Sequence, residues 1–415
     1  RMNLLPSVVE TAFGIIAPAL SLSYNRCSHF LPLRRLPSIG LGGFLSMLSR
    51  LQLGDFRNYR QLDIALSPSL NVILGDNGSG KTSLLEAIYF IGSGGRSFRG
   101  GRLSRLVRDG APAATLYAEV VCEEKHHRLG VRRTPGGIDA IKLNGETPKA
   151  LSEVAGLLPV LALHPTSVEL VFGASALRRR FMDWGMFHVE HEFMPVWRTA
   201  SAALKQRNAL LRTGRPNPRE LGFWDQQLAQ TSDRIEGLRR RYLQALQTGL
   251  DTVLSHLAPE LKIRVQLQTG LQKDESYADA LSRLRQDDIR RGFSQAGFHR
   301  SDIRIETRGV VARDRLSRGQ AKLVAYGLVL AQLPLISQAG KVCTLLVDDL
   351  AAELDEEHRN QMLGFLASTG HQTLITALDL PQWEAVVQQN KALRAIESKM
   401  FHVEHGQLRP LTGSE

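Results

Sequence analysis

The run Gly75-Asp76-Asn77-Gly78-Ser79-Gly80-Lys81-Thr82 matches GxxxxGK[ST] at every fixed position, and its flanks restrict the chain further. Before it stands the short apolar run Asn71-Val72-Ile73-Leu74, which reads as a buried strand. After it, Ser83-Leu84-Leu85-Glu86-Ala87-Ile88-Tyr89 carries a helix period. Strand, glycine loop and helix in that order form a phosphate cradle. Glycines let consecutive backbone N–H groups turn inward, where a Cβ would block close approach. The helix opening near Gly80 points its unpaired amides and positive dipole end at the same anion. Lys81 supplies a point charge to the outer phosphates, and the Thr82 hydroxyl can ligate Mg²⁺. A solvated Gly-Lys turn would need none of these neighbours.

A phosphate loop alone leaves kinases, GTPases and ATPases open, and two downstream segments narrow the choice. Val342 to Val347 reads as an apolar strand ending in Asp348-Asp349, with Cys343 as a small buried residue. A carboxylate at the end of a buried parallel strand comes beside the loop, so Asp348 is assigned to the metal and Asp349 to the attacking water. Leu316-Ser317-Arg318-Gly319-Gln320 precedes an apolar helix pattern from Leu323 to Leu333. It is either an ordinary serine N-cap or a second anion-binding turn. One loop already cradles a triphosphate, so a second such turn is best used on the nucleotide of another copy, with ATP joining two subunits.

Together Gly75 to Thr82, Leu316 to Gln320, Asp348-Asp349 and Ala352-Glu353-Leu354-Asp355 resemble the Walker A, signature, Walker B and D-loop segments of ABC-type ATPases. Asp55-Phe56-Arg57-Asn58-Tyr59, Gly94-Gly95-Arg96-Ser97-Phe98-Arg99, Arg179 to Trp184, Lys205-Gln206-Arg207-Asn208 and Ser317-Arg318-Gly319-Gln320 are similar to the RecF family, in the SMC/Rad50 branch. The likeness covers about residues 47 to 412. It implies an α/β fold, an ABC-type P-loop ATPase lobe formed by both chain ends with an inserted helical lobe. It adds Arg57, Asn58, Ser317, Arg318, Gly319 and Gln320 to the nucleotide contacts. It further implies slow ATP hydrolysis, an ATP-dependent homodimer closing on DNA at gaps or duplex/single-strand junctions, and a cytoplasmic role with RecR and RecO in loading RecA. Against the wider ATPase pattern, Arg318 replaces the glycine of transporters, Asp349 replaces a glutamate base, and Leu163-His164-Pro165-Thr166 holds no glutamine. Thr166 stands where RecF proteins usually have glutamate, and Thr376 where transporters place a γ-phosphate histidine. An ATP-gated clamp with negligible hydrolysis and a transporter motor are the alternatives.

Length favours that branch on its own terms. From Lys81 to Ser317 is 236 positions (317 − 81), more than a transporter ATPase needs and too few for long coiled coils. Leu221, Trp224, Leu228, Ile235, Leu238, Tyr242, Leu246, Leu250, Val253 and Leu257 recur at helical steps. With a helix over 196–211 and a turn over 213–218, they predict a short antiparallel arm. The expected divisions are an extension outside the fold at 1–46, ATPase lobe segments at 47–170 and 301–412, and a helical lobe at 171–300.

The 415 residues carry 52 basic and 41 acidic side chains, net +11, which favours a polyanionic partner without choosing between nucleic acid, ribosome and membrane surface. No apolar run is long enough to predict a membrane span. Cys27, Cys122 and Cys343 lie far apart, which excludes a disulfide scaffold and a cysteine zinc finger and suits a reducing compartment. Arg96, Arg99, Arg102, Arg105 and Arg108 recur every third residue, but such steps spread over roughly 240° of a helix and give no single stripe. They divide between phosphate contact and solvated surface. Arg178-Arg179-Arg180 and Arg239-Arg240-Arg241 add positive charge to the arm. Without interleaved aromatics, DNA contact is expected to be independent of sequence. The word Met186 to His191 returns as Met400 to His405, once in a helix pattern and once in a hairpin; its two histidines do not make a zinc site.

Overall fold

Period-two alternation builds the first hairpin: β1 (Met47–Phe56) and β2 (Tyr59–Ala65) pair antiparallel across an Arg57-Asn58 turn in which Arg57 adopts φ 53°. The computed structural model describes residues 46–123, 125–377 and 379–411. Apart from Ser46, the segment 1–46 therefore lies outside the described residues, as does Cys27. After the hairpin come β3 (Leu70–Leu74), α1 (Lys81–Gly92), β4 (Ala114–Cys122), β5 (Lys125–Thr134), β6 (Gly137–Leu143), α2 (Leu151–Leu157) and β7 (Val160–Leu163). A mainly helical stretch follows with α3 (Glu169–Phe172), α4 (Ser175–Val189), α5 (Phe193–Leu211), α6 (Pro218–Leu257), β8 (Ile263–Gln268), α7 (Tyr277–Arg291), β9 (Asp302–Thr307), β10 (Val310–Val311), α8 (Arg318–Leu330) and α9 (Leu333–Gln338). The chain returns through β11 (Thr344–Val347), α10 (Leu350–Glu353), α11 (Glu356–Ser368), β12 (Gln372–Ala377), α12 (Leu380–Gln389), α13 (Lys391–Arg394), β13 (Ser398–Glu404) and β14 (Gln407–Leu411).

These elements fall into two compact units. One holds the described residues up to 162 with 340–350 and those from 363 onward; the other holds 163–339 with 351–362. In the first unit β2-β1-β4-β5-β6 form an antiparallel sheet, and β14-β13-β3-β12-β11-β7 form a second. Within the second sheet β13, β3, β12 and β11 run parallel. Every residue of β3 and β11 is buried, as parallel strands covered on both faces require. Helix α1 contributes Leu84, Leu85, Ile88 and Phe90 to a core shared with Leu51 and Phe56 of one sheet and Ile73, Leu346 and Leu374 of the other. Gln372 stitches the sheets. Its Oε1 accepts from Leu48 N–H at 2.9 Å, while Nε2 donates to the Leu48 and Ser67 carbonyls at 2.8 and 2.9 Å.

The second unit is organised around α6, a helix of 40 residues. Asn217 caps it by accepting from Arg219 N–H, and Pro218 occupies its first turn, where a missing donor costs nothing. The expected stripe is buried throughout except at half-buried Trp224. The arm is present as the α5–α6 pair, and α6 also packs against α7, α8, α9 and β8. Residues 318–338 are apolar and long enough to span a bilayer by composition, yet 72% of the 18-residue window within them that passes this test is buried in the chain itself.

The arginine triplets are less available than their charge suggests. Arg178 grips Asp302 with Nε and Nη2, both at 2.8 Å, and Arg179 donates to the Ser301 carbonyl at 2.9 Å. Arg239, 1% exposed, donates to the Phe298 carbonyl and to Asp183. A guanidinium can enter a protein interior only with such acceptors, so these three hold the second unit together instead of facing a polyanion.

Candidate nucleotide site

The loop between β3 and α1 has the backbone that its glycines permit. Gly75, Gly78 and Gly80 take φ values of 145°, 81° and 130°, which side chains on L-residues rarely adopt. Among the described residues nothing stands within 4 Å of a Cβ placed on Gly78, so that position faces open space. The N-terminus of α1 has no side-chain cap among the described residues and no acidic residue in its first turn, which leaves its orphan amides for an anion. Ser79 Oγ is buried without a hydrogen-bond partner among the described residues. An uncapped helix start, an orphaned hydroxyl and open space over a glycine fit a phosphate group.

Three groups from outside the loop hold its peptide planes. Asn58 Nδ2 and Gly406 N–H both donate to the Ser79 carbonyl, at 2.8 and 3.0 Å, and the Tyr59 hydroxyl donates to the Gly80 carbonyl at 3.0 Å. Fixing a carbonyl outward fixes the next N–H inward, since both lie in one planar peptide. Gly406, at φ 74°, lies so close that a Cβ there would meet the Asn58 carbonyl oxygen at 2.3 Å. Gly406→Ala is therefore expected to displace Asn58 and weaken ATP binding by about tenfold without unfolding the chain. Titration with a fluorescent ATP analogue checks this, and unchanged affinity would contradict the brace.

Lys81 Nζ donates to the Gly75 and Asp76 carbonyls at 2.5 and 3.0 Å. Burial pulls its pKa down, and Asp349, Asp348 and Asp76 oppose the shift. Asp348 Oδ1 accepts from Thr82 Oγ1 at 3.0 Å and from Thr376 Oγ1 at 3.1 Å, and Thr376 Oγ1 accepts from Asp349 N–H at 2.8 Å. The parallel register creates this cluster: β12 lies between β3 and β11, so the ends of all three strands open on one edge. Burial raises the Asp348 pKa, with the neighbouring Asp349 charge adding to it; hydrogen bonds from Thr82 and Thr376 work against the rise. A hard cation beside a hydroxyl and this carboxylate would favour the ionised form. Asp349 takes φ 53°, a left-handed conformation costly for a non-glycine residue.

Arg57 lies against α1. Its Nε and Nη2 grip the two oxygens of fully buried Glu86, each at 2.9 Å, and Ser97 Oγ also reaches Glu86. Glu86 carries no sequence signal beyond being a charged residue on an apolar helix. In the second unit, exposed Ser317 starts α8 with a capping box: its Oγ accepts from Gln320 N–H at 3.2 Å, and Gln320 Oε1 accepts from Ser317 N–H at 3.1 Å. Accepting leaves the serine its own O–H proton to donate. Arg318 and Gly319 beside it are exposed. His164 Nδ1 lies 2.7 Å from Thr166 Oγ1, and burial lowers the histidine pKa to about 4. His188 is buried beside the Trp184 and Phe187 rings, whereas His191 is exposed. Among the described residues no cluster of three His, Cys, Asp or Glu forms a metal site.

A phosphate loop between β3 and α1, an acidic pair ending β11 one strand beyond β12 in the same parallel sheet, and a serine turn opening a later helix define an ABC-type ATPase head of the SMC class. Residues 47–401 match the RecF/RecN/SMC N terminal domain family. The fold agrees with an Smc head domain derived from Pyrococcus furiosus, at TM-score 0.55 and 17% identity over 88% of this chain and 96% of that one. It agrees more fully with the recombination mediator protein RecF bound to ATP, at TM-score 0.77 and 23% identity over 90% and 99% of the two chains. The DNA replication and repair protein RecF of Stutzerimonas stutzeri is 40% identical over 88% of this chain and 98% of its own length. That of Shewanella piezotolerans is 38% identical over 87% and 98%. The chain belongs to the RecF family.

Proposed function

We propose that this chain is an ATP-dependent DNA-binding protein of replication and recombinational repair, in which ATP joins two copies and slow hydrolysis parts them. The observation that carries this reading is the meeting of Thr82, Asp348 and Thr376 within 3.1 Å beside the loop of Lys81. Gly75, Asp76, Asn77, Gly78, Ser79 and Gly80 cradle the phosphates of ATP, with Asn58 bracing the loop and Arg57 completing its flank. Thr82 and Asp348 would hold Mg²⁺, which neutralises charge on the phosphates as they separate. Asp349 orients the attacking water. Its side chain is one methylene shorter than glutamate, which favours slow turnover. The same feature favours the second reading, a clamp in which binding matters and hydrolysis is incidental. Membership of the RecF family sets aside the transporter motor.

Ser317, Arg318, Gly319 and Gln320 form the turn that closes on the nucleotide of a second copy. Ser317→Arg is expected to leave one ATP bound per chain while abolishing ATP-dependent dimers. Sedimentation with a non-hydrolysable analogue checks this, and normal dimers in the variant would refute closure through that turn. Exposed Arg96, Arg102 and Arg105, with no carboxylate within 4 Å among the described residues, are the groups offered to DNA phosphates. Family likeness supports action at gaps or junctions in the cytoplasm, with RecR and RecO as partners and RecA as the protein finally loaded.

A further inference from the structure

Strand β8 is the outer strand of the three-stranded sheet β10-β9-β8. In an antiparallel pair alternate residues turn both backbone groups away from the neighbour. On β8 these are Ile263, Val265 and Leu267, because the Gln247 side chain meets that edge: its Nε2 donates to the Ile263 carbonyl and its Oε1 accepts from Val265 N–H, at 2.9 and 2.8 Å. One amide from α6 thus does what a neighbouring strand would do. It occupies only half of the edge. Beyond it the Val265 carbonyl and the Leu267 N–H and carbonyl face outward with no strand beside them among the described residues.

There a groove of about 350 Å³ opens between the two elements, walled by Arg240, Leu243 and Gln244 of α6 and by Arg264, Val265 and Leu267 of β8. A strand edge on one side and a helix on the other, closed at one end by a bridging side chain, is the geometry into which an extended peptide adds as a further strand. Leu243, Val265 and Leu267 give it apolar walls. Its charge selects the occupant, since two arginines and, among the described residues, no acidic residue line the groove. Nearby Glu236 is engaged by Arg240, and Glu306, opposite Arg264 in register, is engaged by Arg304.

We infer that the groove between α6 and the free half of the β8 edge docks an extended segment of a partner protein in which apolar and acidic side chains alternate. Backbone hydrogen bonds to Val265 and Leu267 hold the segment, and Arg264 chooses its charge, since Arg240 is already paired with Glu236. The site is remote in the chain from the nucleotide loop and does not depend on its assignment.

The full chain is titrated into a fluorescein-labelled peptide that alternates valine with glutamate, with anisotropy as the readout. Saturable binding is expected, weakened about tenfold or more by Arg264→Glu or by Gln244→Trp, which fills the groove from an exposed position. N-methylation of alternate peptide amides should abolish binding, and a valine–lysine peptide should not bind. Thermal melting confirms that each variant is folded. No saturable binding up to millimolar peptide overturns the proposal, as does binding indifferent to both variants and to N-methylation. If Arg264→Glu weakens duplex DNA binding while the acidic peptide does not bind, the groove belongs to nucleic acid and the proposal fails.

Discussion

Replacing Lys81 with methionine is expected, on the proposed function, to lower ATP turnover on the order of 10²–10³-fold, because a preorganised cation is lost from a partly buried site that would face the phosphates. The ammonium is already held in place by the Gly75 and Asp76 carbonyls, and its pKa is lowered by burial while the three nearby aspartates resist the shift. It is therefore positioned before substrate arrives and needs little rearrangement to act. Methionine keeps an unbranched apolar stem, one atom shorter, so the loop, braced independently through Asn58, Tyr59 and Gly406, should keep its shape. Lys81→Arg should not restore activity, since a planar fork cannot replace a compact point charge in so narrow a loop. Phosphate release under multiple turnover, with melting temperature as the folding control, checks both variants. Turnover like that of the unchanged chain would remove the phosphate loop from the mechanism.

Arg207→Met is expected to destabilise the second unit by about 3–5 kcal/mol, the usual consequence of leaving buried charges without their partner. Arg207 is fully buried. It donates to Asp225 at 2.6 Å, to fully buried Asp288 at 2.7 Å and to Ser294 Oγ at 2.8 Å. Asp225 also accepts from Arg285, and Asp288 from the backbone and side chain of Gln295. Asn208 completes the cluster by accepting from both the N–H and hydroxyl of Ser294. One side chain therefore ties α5 to α6, α7 and the segment after α7. Urea unfolding monitored by circular dichroism measures the loss, and a cost below about 1 kcal/mol would show that the ion cluster is not a keystone. Replacing Arg207 and Asp288 together with apolar residues should recover part of the loss, since the orphaned charge is then removed as well.

That cluster also marks where local pattern stops being informative. Along α5, Val196, Ala200, Ala203, Arg207 and Leu211 are buried at three- and four-residue steps, so a basic residue sits on an apolar stripe. Asp288 does the same on α7, where Tyr277, Ala280 and Leu281 are buried. Those positions imply that each charge has a partner, but not which one, since the partners are 18 to 87 residues apart. The same ambiguity covers Arg178, Arg179 and Arg239, which composition would offer to a polyanion and which the fold spends on Asp302, Asp183 and backbone carbonyls. Thr376 illustrates the converse. Spacing puts it only at a strand end, whereas in the structure its hydroxyl joins Asp348 to the Asp349 backbone.

By itself the sequence determined what depends on neighbours in the chain: the strand, loop and helix around Lys81, the apolar strand ending in Asp348, the serine that starts α8, and the α5–α6 hairpin. Each rests on periodicity, glycine conformational freedom or a hydrogen bond within a few residues. Only the tertiary structure decided that β12 lies between β3 and β11, that the turn at Gly406 braces a loop more than three hundred residues earlier, and which carboxylate answers which arginine. Such choices depend on burying charge and backbone only where a partner from distant sequence is already in place, and no local pattern encodes that partner.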